Sequence, residues 1–380
     1  MELWYSAKNA IIDSMFSPVF TITNKNLSNL IGVEVAGKIV QLSKLQPDWE
    51  LRLKQECLVR KIYSMARFST NELSFDDVAR IVRDEPGRDD KPSQVALRVG
   101  VVGKERDIQQ ILNLLNVTRF IEQLAFLAGK FKHDEYGERE LSQINTLLGE
   151  RLVSPSETGK IRDREAEGFT SVPPMVVEVP FQVEDLFGWL GSVGKNELHP
   201  INKAGIMLFE LLRIIPYLEN NLLTALCFYQ LILSMEGFGL KKLWSVEEEI
   251  LKNRDAFQLA VSSVDRNGGD LTIWLEYLNR CLADSAEKIQ TKVMNLVGET
   301  PIFKSEGGRV VSLTERQIAI MEEMTVKNEM TIREIRNVLP MVSDDTILRD
   351  LKDLIDKKLI RKKGKTKGAL YVMGKARSYR

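Results

Sequence analysis

The chain is short of the residues that most catalytic chemistry needs. Its 380 residues include two histidines, His133 and His199, and three cysteines, Cys57, Cys227 and Cys281. The cysteines are far apart and lack the paired spacing of a zinc site, and an odd, scattered set gives no disulfide framework. A reducing, cytoplasmic setting suits such a chain. Any mechanism that needs a histidine base must use one of two residues. The glycines of the stretch from Gly298 to Gly308 are not followed by Lys-Ser/Thr, so there is no phosphate-cradling Walker loop. No Ser/His/Asp trio at useful spacing and no histidine-containing metal signature is present. No cofactor and no metal is expected. The 53 basic residues balance 53 acidic ones, which excludes a uniformly basic nucleic-acid coat protein. The N-terminus, MELWYSAKNAIIDSMF, has no basic stretch leading into an apolar core, so no leader is expected. The apolar run Leu222 to Met235 is broken by Thr224, Gln230 and Ser234 and is too short to span a bilayer; no membrane partner is expected.

What remains is an ordinary globular composition, 44% apolar and 28% charged, with room for two or three domains. Helical spacing of apolar residues dominates. It predicts helices over 25–44, 49–66, 106–130, 141–152, 181–192, 202–214, 220–235, 246–263 and 271–293. Ser74 followed by Phe75, Asp76 and Asp77 reads as an N-cap opening a short helix to Val82. Residues 84–91 (DEPGRDDK) read as a polar loop. The valine-rich stretch Val172 to Pro180, bounded by prolines, is the best β candidate before residue 300 and suits an edge or a hairpin. Periodicity fades from Met294 to Gly308, which reads as a linker.

The last part has its own logic. Thr314, Thr331 and Ser343 are placed to cap three helices, the third running from Asp344 to about Lys358 with Ile347, Leu351, Leu354 and Ile355 on one face. Two strands, from Leu359 and from Ala369, then flank the turn KKGKTKG. Three helices and a basic hairpin are the order of a winged helix, and the run SDDTILRDLKDLIDKKLIRKKGKTKGALYV resembles that of bacterial and archaeal regulators. From Ile355 to Arg380 there are ten Lys or Arg against one acid, Asp356. Clustered cations on a wing sit well against phosphates. Double-stranded DNA is therefore the expected partner. The candidate contacts are Ser343, Thr346 and Arg349 on the third helix, then Lys357, Arg361, Lys362, Lys363, Lys365 and Lys367. Asp344, Asp345, Asp350 and Asp353 argue the other way, since acids facing DNA would be repelled; a winged helix that contacts protein is the alternative.

The stretch HPINKAGIMLFELLRIIPYLENNLLTALCF, residues 199–228, resembles the Fic family of adenylyl-transferring enzymes, in which a His-Pro pair opens a helix that ends in the loop I-H-P-F-x-D/E-G-N-G-R. Ile214, Pro216, Tyr217, Glu219 and Asn221 fall on matching or similar positions without a gap. Gly159-Lys160-Ile161-Arg162 resembles the family's G-x-x-R, residues 172–180 lie where it places a substrate-holding β-hairpin flap, and Asp270 to Leu275 resembles its D-x-T-x-W-x helix start. The resemblance implies a mainly α fold: a Fic-like helical bundle with a small β-hairpin flap, followed by the winged helix. The expected domains are an N-terminal helical region over 1–100, a Fic-like domain over 101–297, a linker over 298–312 and a winged helix over 313–380.

The departures bear on function. The family's catalytic histidine is replaced by Ile215, its two loop glycines by Asn220 and Leu222, and its phosphate-pairing arginine by Leu223. Isoleucine cannot accept a proton, and base catalysis is worth roughly 10²–10⁴-fold. Leucine offers neither charge nor donor. Glu219, read as the N-cap or first-turn acid of the next helix, and Asn221 are expected to serve the local fold. In many members a helix with S-x-x-I-E-G-N places an inhibitory glutamate against the loop arginine; the corresponding residues here are 65–71, and Ser69 stands on the glutamate. His199 is expected as a helix cap about 20 Å from Ile215, and His133 lies in a polar turn. The expected protein is thus a catalytically inactive Fic-like regulator that binds DNA, with doubtful nucleotide binding and a homodimer or a protein partner as further options. A divergent nucleotidyltransferase with a non-histidine base and a protein-interaction scaffold are the alternatives.

Overall fold

The structure is a computed structural model and describes residues 16–43, 45, 47–131, 136–166, 168–170, 173–194, 197–238, 240–298, 303–304, 310–311, 313–339, 342–364 and 369–374. It is mainly α. Two compact units are present, Met1–Ser43 with Leu51–Val293, and Lys44–Glu50 with Met294–Arg380.

The helices are α1 (Asn24–Leu42), α2 (Pro47–Phe68), α3 (Phe75–Arg83), α4 (Pro92–Val99), α5 (Glu105–Phe131), α6 (Glu138–Gly149), α7 (Val179–Ser192), α8 (Pro200–Ile214), α9 (Asn221–Met235), α10 (Val246–Lys252), α11 (Arg254–Arg266) and α12 (Thr272–Gly298). Local chemistry sets their starts. The Thr23 hydroxyl accepts from Asn26 N at the head of α1. Ser74 and Asp77 form a reciprocal capping box on α3, and the Ser74 hydroxyl, donating to Asp77, holds that carboxyl below its ordinary pKa. Pro92 sits in the first turn of α4, where its missing N–H costs nothing, and Gly100 closes the helix at φ 66°.

The centre of the larger unit is the pair α8 and α9, which pack on each other; α9 also packs on α5 and α6. Almost every side chain from Ile201 to Leu212 and from Leu223 to Leu233 is buried. A helix buried on all sides reads as apolar all round, which is why α9 looks like a short membrane segment in sequence. The 27-residue α5 is long and apolar enough to cross a bilayer by length and composition. Its Ile108, Ile111, Leu112, Leu114, Leu115 and Val117 lie in the core. At the α8–α12 crossing a Cβ on Gly205 would stand 2.8 Å from Leu275 Cδ2, and Trp274 Nε1 donates to the Gly205 carbonyl at 2.8 Å. The glycine lets the helices approach closely enough for that bond. Beside it, Asn279 Nδ2 donates to Asn26 Oδ1 and Asn202 Oδ1 at 2.8 and 2.6 Å, tying α1, α8 and α12 through buried amides.

Three sequence expectations change. Residues 173–180 are not a β-hairpin: Pro173 and Pro174 lead into a 3₁₀ turn at Val176–Glu178, and α7 begins at Val179 with Pro180 in its first turn. Prolines that lack a ladder donor serve a helix start instead, and Glu178 closes the turn by accepting from Met175 N at 3.1 Å. The helix expected over 246–263 is two, because Asn253 leaves helical geometry at φ −141° and its side chain caps α11 by accepting from Ala256 N. Periodicity missed α4, which is only eight residues long.

In the smaller unit a short pair, β1 (Phe303–Lys304) and β2 (Val310–Val311), follows α12, with Phe303 opposite Val311. Then come α13 (Glu315–Lys327), β3 (Glu329–Thr331), α14 (Ile332–Val338), α15 (Asp344–Asp356), β4 (Ile360–Lys363) and β5 (Leu370–Met373). Thr314 with Gln317 and Thr331 with Glu334 are capping boxes. Ser343 is the N-cap residue of α15 but makes no side-chain capping bond; its Oγ meets Thr346 Oγ1 at 2.9 Å instead. The sheet order is β3-β5-β4, all antiparallel. The strand β3 was not read in the sequence, since three residues carry no alternation. The core gathers Ile318, Met321, Met324, Ile335, Ile347, Leu351, Leu354, Leu359, Ile360 and Tyr371.

Candidate functional site

The loop between α8 and α9 is held by side chain to backbone bonds. At its start Ile215 closes α8, its N–H donating to Leu211 O at 3.1 Å, in the left-handed region at φ 52°, ψ 66°. That region is costly for a β-branched residue, on the order of 1–3 kcal/mol. What holds it there is Arg162, whose side chain is fully buried. Its Nε donates to Ile215 O at 2.8 Å, its Nη2 to Pro174 O at 2.7 Å and its Nη1 to Arg164 O at 3.2 Å. The Arg162 backbone N–H also donates to Pro216 O at 2.9 Å. The Ile215 side chain is completely buried and lies under residue 168: a Cβ on Gly168 would come within 2.5 Å of Ile215 Cδ1.

At the other end Asn221 closes a ring on Tyr217. Its Oδ1 accepts from Tyr217 N at 3.0 Å and its Nδ2 donates to Tyr217 O at 2.7 Å. Tyr217 is buried, and burial, with the Glu138 carboxylate adding to it, pushes its phenol well above the usual range. Asn220 is the N-cap residue of α9 at φ 63°, a conformation asparagine tolerates. Glu219 therefore stands one residue before the cap, exposed, and is neither the N-cap nor a first-turn acid. The register of the cap is set by the left-handed residue at 220. Leu222 is half-buried and Leu223 is in the core.

A residue that sequence reasoning did not single out braces this loop from behind. Asn145 on α6 donates from Nδ2 to Glu219 O at 2.9 Å and to Thr224 Oγ1 at 3.1 Å, and its Oδ1 accepts from Gly159 N at 2.8 Å. Gly159 sits at φ 67°, and a Cβ there would lie 2.2 Å from Thr146 Oγ1. The Gly159 and Arg162 pair thus has a structural role: the glycine admits the turn, and the arginine locks the loop.

The other sequence-predicted residues fall elsewhere. His199 caps α8 as expected, its Nδ1 accepting from Ile201 N at 3.3 Å; Nε2 is 3.5 Å from Glu34 Oε1. Burial pulls its pKa below the ordinary imidazole value, and Glu34 opposes this. His133 lies outside the described residues. Ser69 follows α2 in a turn, its N–H on Ala66 O. Asn71 is buried and ties α2 to α5 through Asp107 O and Gln110 Oε1.

In the smaller unit, Arg349 is exposed on α15, while Thr346 is half-buried and tied to Ser343. Lys357 is half-buried and paired with Asp353 at 2.5 Å and Gln317 at 3.4 Å, so its charge is engaged inside the unit. On β4, Arg361, Lys362 and Lys363 are exposed. Lys362 faces Tyr371 across the ladder and its Nζ sits 5.9 Å from that ring; Arg361 and Lys363 point to the opposite face. Lys365 and Lys367 lie outside the described residues. Of the acids that argue against DNA binding, Asp344 is bound by Arg336 at 2.5 Å, Asp350 by Arg316 at 2.7 Å, and Asp353 by Lys357 and Gln317. Lys352, which the sequence reading passed over, is exposed.

Residues 135–233 match the family model described as the Fic/DOC family. The chain is 23% identical over 164 residues to a protein adenylyltransferase Fic of Drosophila grimshawi, covering 42% of this chain and 32% of that protein. It is 25% identical over 219 residues to a protein adenylyltransferase fic-1 of Caenorhabditis briggsae, covering 56% and 40%. The matches thus span about a third to two fifths of these relatives. A solved Fic family protein from Desulfovibrio desulfuricans G20 superposes with a TM-score of 0.63 at 18% identity, over 95% of this chain and 99% of that one. The Fic-1 structure from C. elegans (residues 134–508) gives 0.52 at 18% identity, over 72% and 73%. At such identity the structures speak for the fold.

Replacing Arg162 by Met should leave the carbonyls of Ile215 and Pro174 buried without a donor. The expected loss is about 2–4 kcal/mol, read as a lower urea midpoint by tryptophan fluorescence. A midpoint within error of the parent would contradict the role assigned to this guanidinium.

Proposed function

Starting from a chain that carries a Fic/DOC-family domain at residues 135–233, we propose that this domain is a non-catalytic scaffold and that the C-terminal unit binds duplex DNA as a winged helix. The first half rests on the loop. Where the resemblance sets a proton acceptor, Ile215 is buried beneath residue 168. Where it sets a phosphate-pairing arginine, Leu223 belongs to the core. The Asn221 amide is bonded on both sides to Tyr217. A side chain that reaches for a triphosphate would have to leave one of these contacts, and neither leucine nor isoleucine carries a donor to offer it.

The second half rests on the order of elements from α13 to β5 and on the basic strand β4. Three helices, of which α15 is the third, precede a hairpin that bears Arg361 and Lys363 on one face. Such a hairpin neutralises phosphates beside a helix lying in the major groove. Three of the four acids on α15 that argued against this reading are bound by Arg336, Arg316 and Lys357. Two half-sites on a dimer would raise effective affinity.

Labelled ATP, UTP or GTP with magnesium should transfer no label to protein, and Ile215→His alone should not create transfer, because Leu223 and the Asn221 ring are unchanged. Transfer by the parent chain that is lost in Glu219→Ala would overturn the scaffold reading in favour of a divergent nucleotidyltransferase.

Random duplex at low salt should bind. The double change Arg361→Ala with Lys363→Ala should weaken binding and reduce the slope of log K against log salt by about two. A slope equal to the parent's, or no duplex binding at all, would turn the C-terminal unit toward a protein-contact role.

A further inference from the structure

The outward line of α15 carries acids as well as cations. Ile347, Leu351 and Leu354 turn into the core. The opposite face therefore presents Asp345, Arg349, Lys352 and Asp356 at i, i+4, i+7 and i+11, all exposed. The remaining acids of the helix are elsewhere: Asp344 on Arg336, Asp350 on Arg316, Asp353 on Lys357. The line thus runs negative, positive, positive, negative. As a first-turn acid Asp345 gains from the positive end of α15 in the free protein. It lies in the first turn of α15, the end of a recognition helix that meets base edges, and there it is repelled by the phosphates of any duplex. On a duplex, a donor on a base edge offsets that repulsion. In the major groove the cytosine N4 amino group is the partner an aspartate accepts from, and guanine O6 and N7 are the partners of an arginine. Four residues of helix rise about 6 Å, or about two base-pair steps of roughly 3.4 Å each.

We propose that Asp345 and Arg349 form a base-reading pair, with Asp345 accepting from a cytosine amino group and Arg349 donating to a guanine about two steps away. The inference rests on the DNA reading above and adds to it that the protein is sequence-selective. Asp345 penalises duplexes that lack the cytosine, so it lowers general affinity while it raises discrimination. Arg361 and Lys363 on the wing supply attraction that is blind to sequence. Ser343 and Thr346 are bonded to each other at the start of the helix.

The experiment uses the full chain. Selection from a randomised duplex library gives a preferred site, and titrations then compare the parent, Asp345→Asn and Arg349→Ala on that site and on a scrambled duplex at one salt concentration. The selected site should hold two G·C pairs about two steps apart. Asp345→Asn should bind the scrambled duplex more tightly and cut the ratio of selected to scrambled affinity by about fivefold or more, the size of one good base contact. Arg349→Ala should lose preference at the guanine. Enriched sites without a G·C preference, or an Asp345→Asn ratio equal to the parent's while duplex still binds, would overturn the inference and leave general DNA binding intact. A parent chain that binds no duplex at any salt concentration overturns the DNA reading itself and this pair with it.

Discussion

A buried guanidinium governs the region around which the larger unit is built. Arg162 is taken wholly out of water, and among the described residues the carboxylate paired with it is that of Glu165, 3.5 Å away on a side chain that is largely exposed. Desolvating a cation costs several kcal/mol unless its donors are satisfied. Here they are satisfied by carbonyls from three places, Ile215, Pro174 and Arg164. The guanidinium fork is flat and rigid, so these carbonyls are fixed relative to each other. That geometry sets where α8 stops and how the chain approaches α7. It also accounts for a β-branched residue at φ 52°: the strain is local, and the bonds that impose it are several.

Much of the fold was legible because caps and apolar spacing act within a few residues. Thr23, Ser74, Thr314 and Thr331 each bond a backbone N–H three residues on, and those pairs are visible in the sequence. What failed was of a different kind. The stretch VPPMVVEVP has the residue types of a strand, but β preference measures fit to a neighbouring strand, and among the described residues it has none; its prolines and Glu178 then favour a turn and a helix start. Asn253 breaks what looks like one helix because its side chain competes for the backbone. In β3 the pairing partner, Val372 to Leu370, is some forty residues away in sequence, beyond the reach of any local pattern.

The candidate sites divide in the same way. The loop could be aligned residue by residue, and its apolar replacements were plain. Its brace was not, because Asn145 reaches Glu219 and Thr224 from another helix and nothing in the neighbourhood of Asn145 announces it. On α15 the spacing gave the buried face correctly, yet it could not tell which acids meet cations across a helix crossing. Asp350 looked like a liability toward a polyanion until Arg316, on α13, was seen to occupy it. Lys357 erred the other way: a cation counted toward the wing is held by Asp353 and Gln317.

The loop's composition has an energetic consequence for the larger unit. A proton acceptor and an arginine poised for a ligand must keep their polar ends available, and in an empty site that availability is a standing cost. Burying Ile215 and Leu223 instead contributes about 1.5–3 kcal/mol each, enough to offset the backbone strain at Ile215. Asn221 gains two bonds to Tyr217 that a ligand contact would break. The Arg162 and Asn145 braces hold the loop through its main chain, at the carbonyls of Ile215 and Glu219. A histidine at 215 would have to take the same buried place beneath residue 168. On α15 and β4, by contrast, Asp345, Arg349, Lys352 and Lys363 are exposed, the state from which a side chain can still gain by meeting a partner.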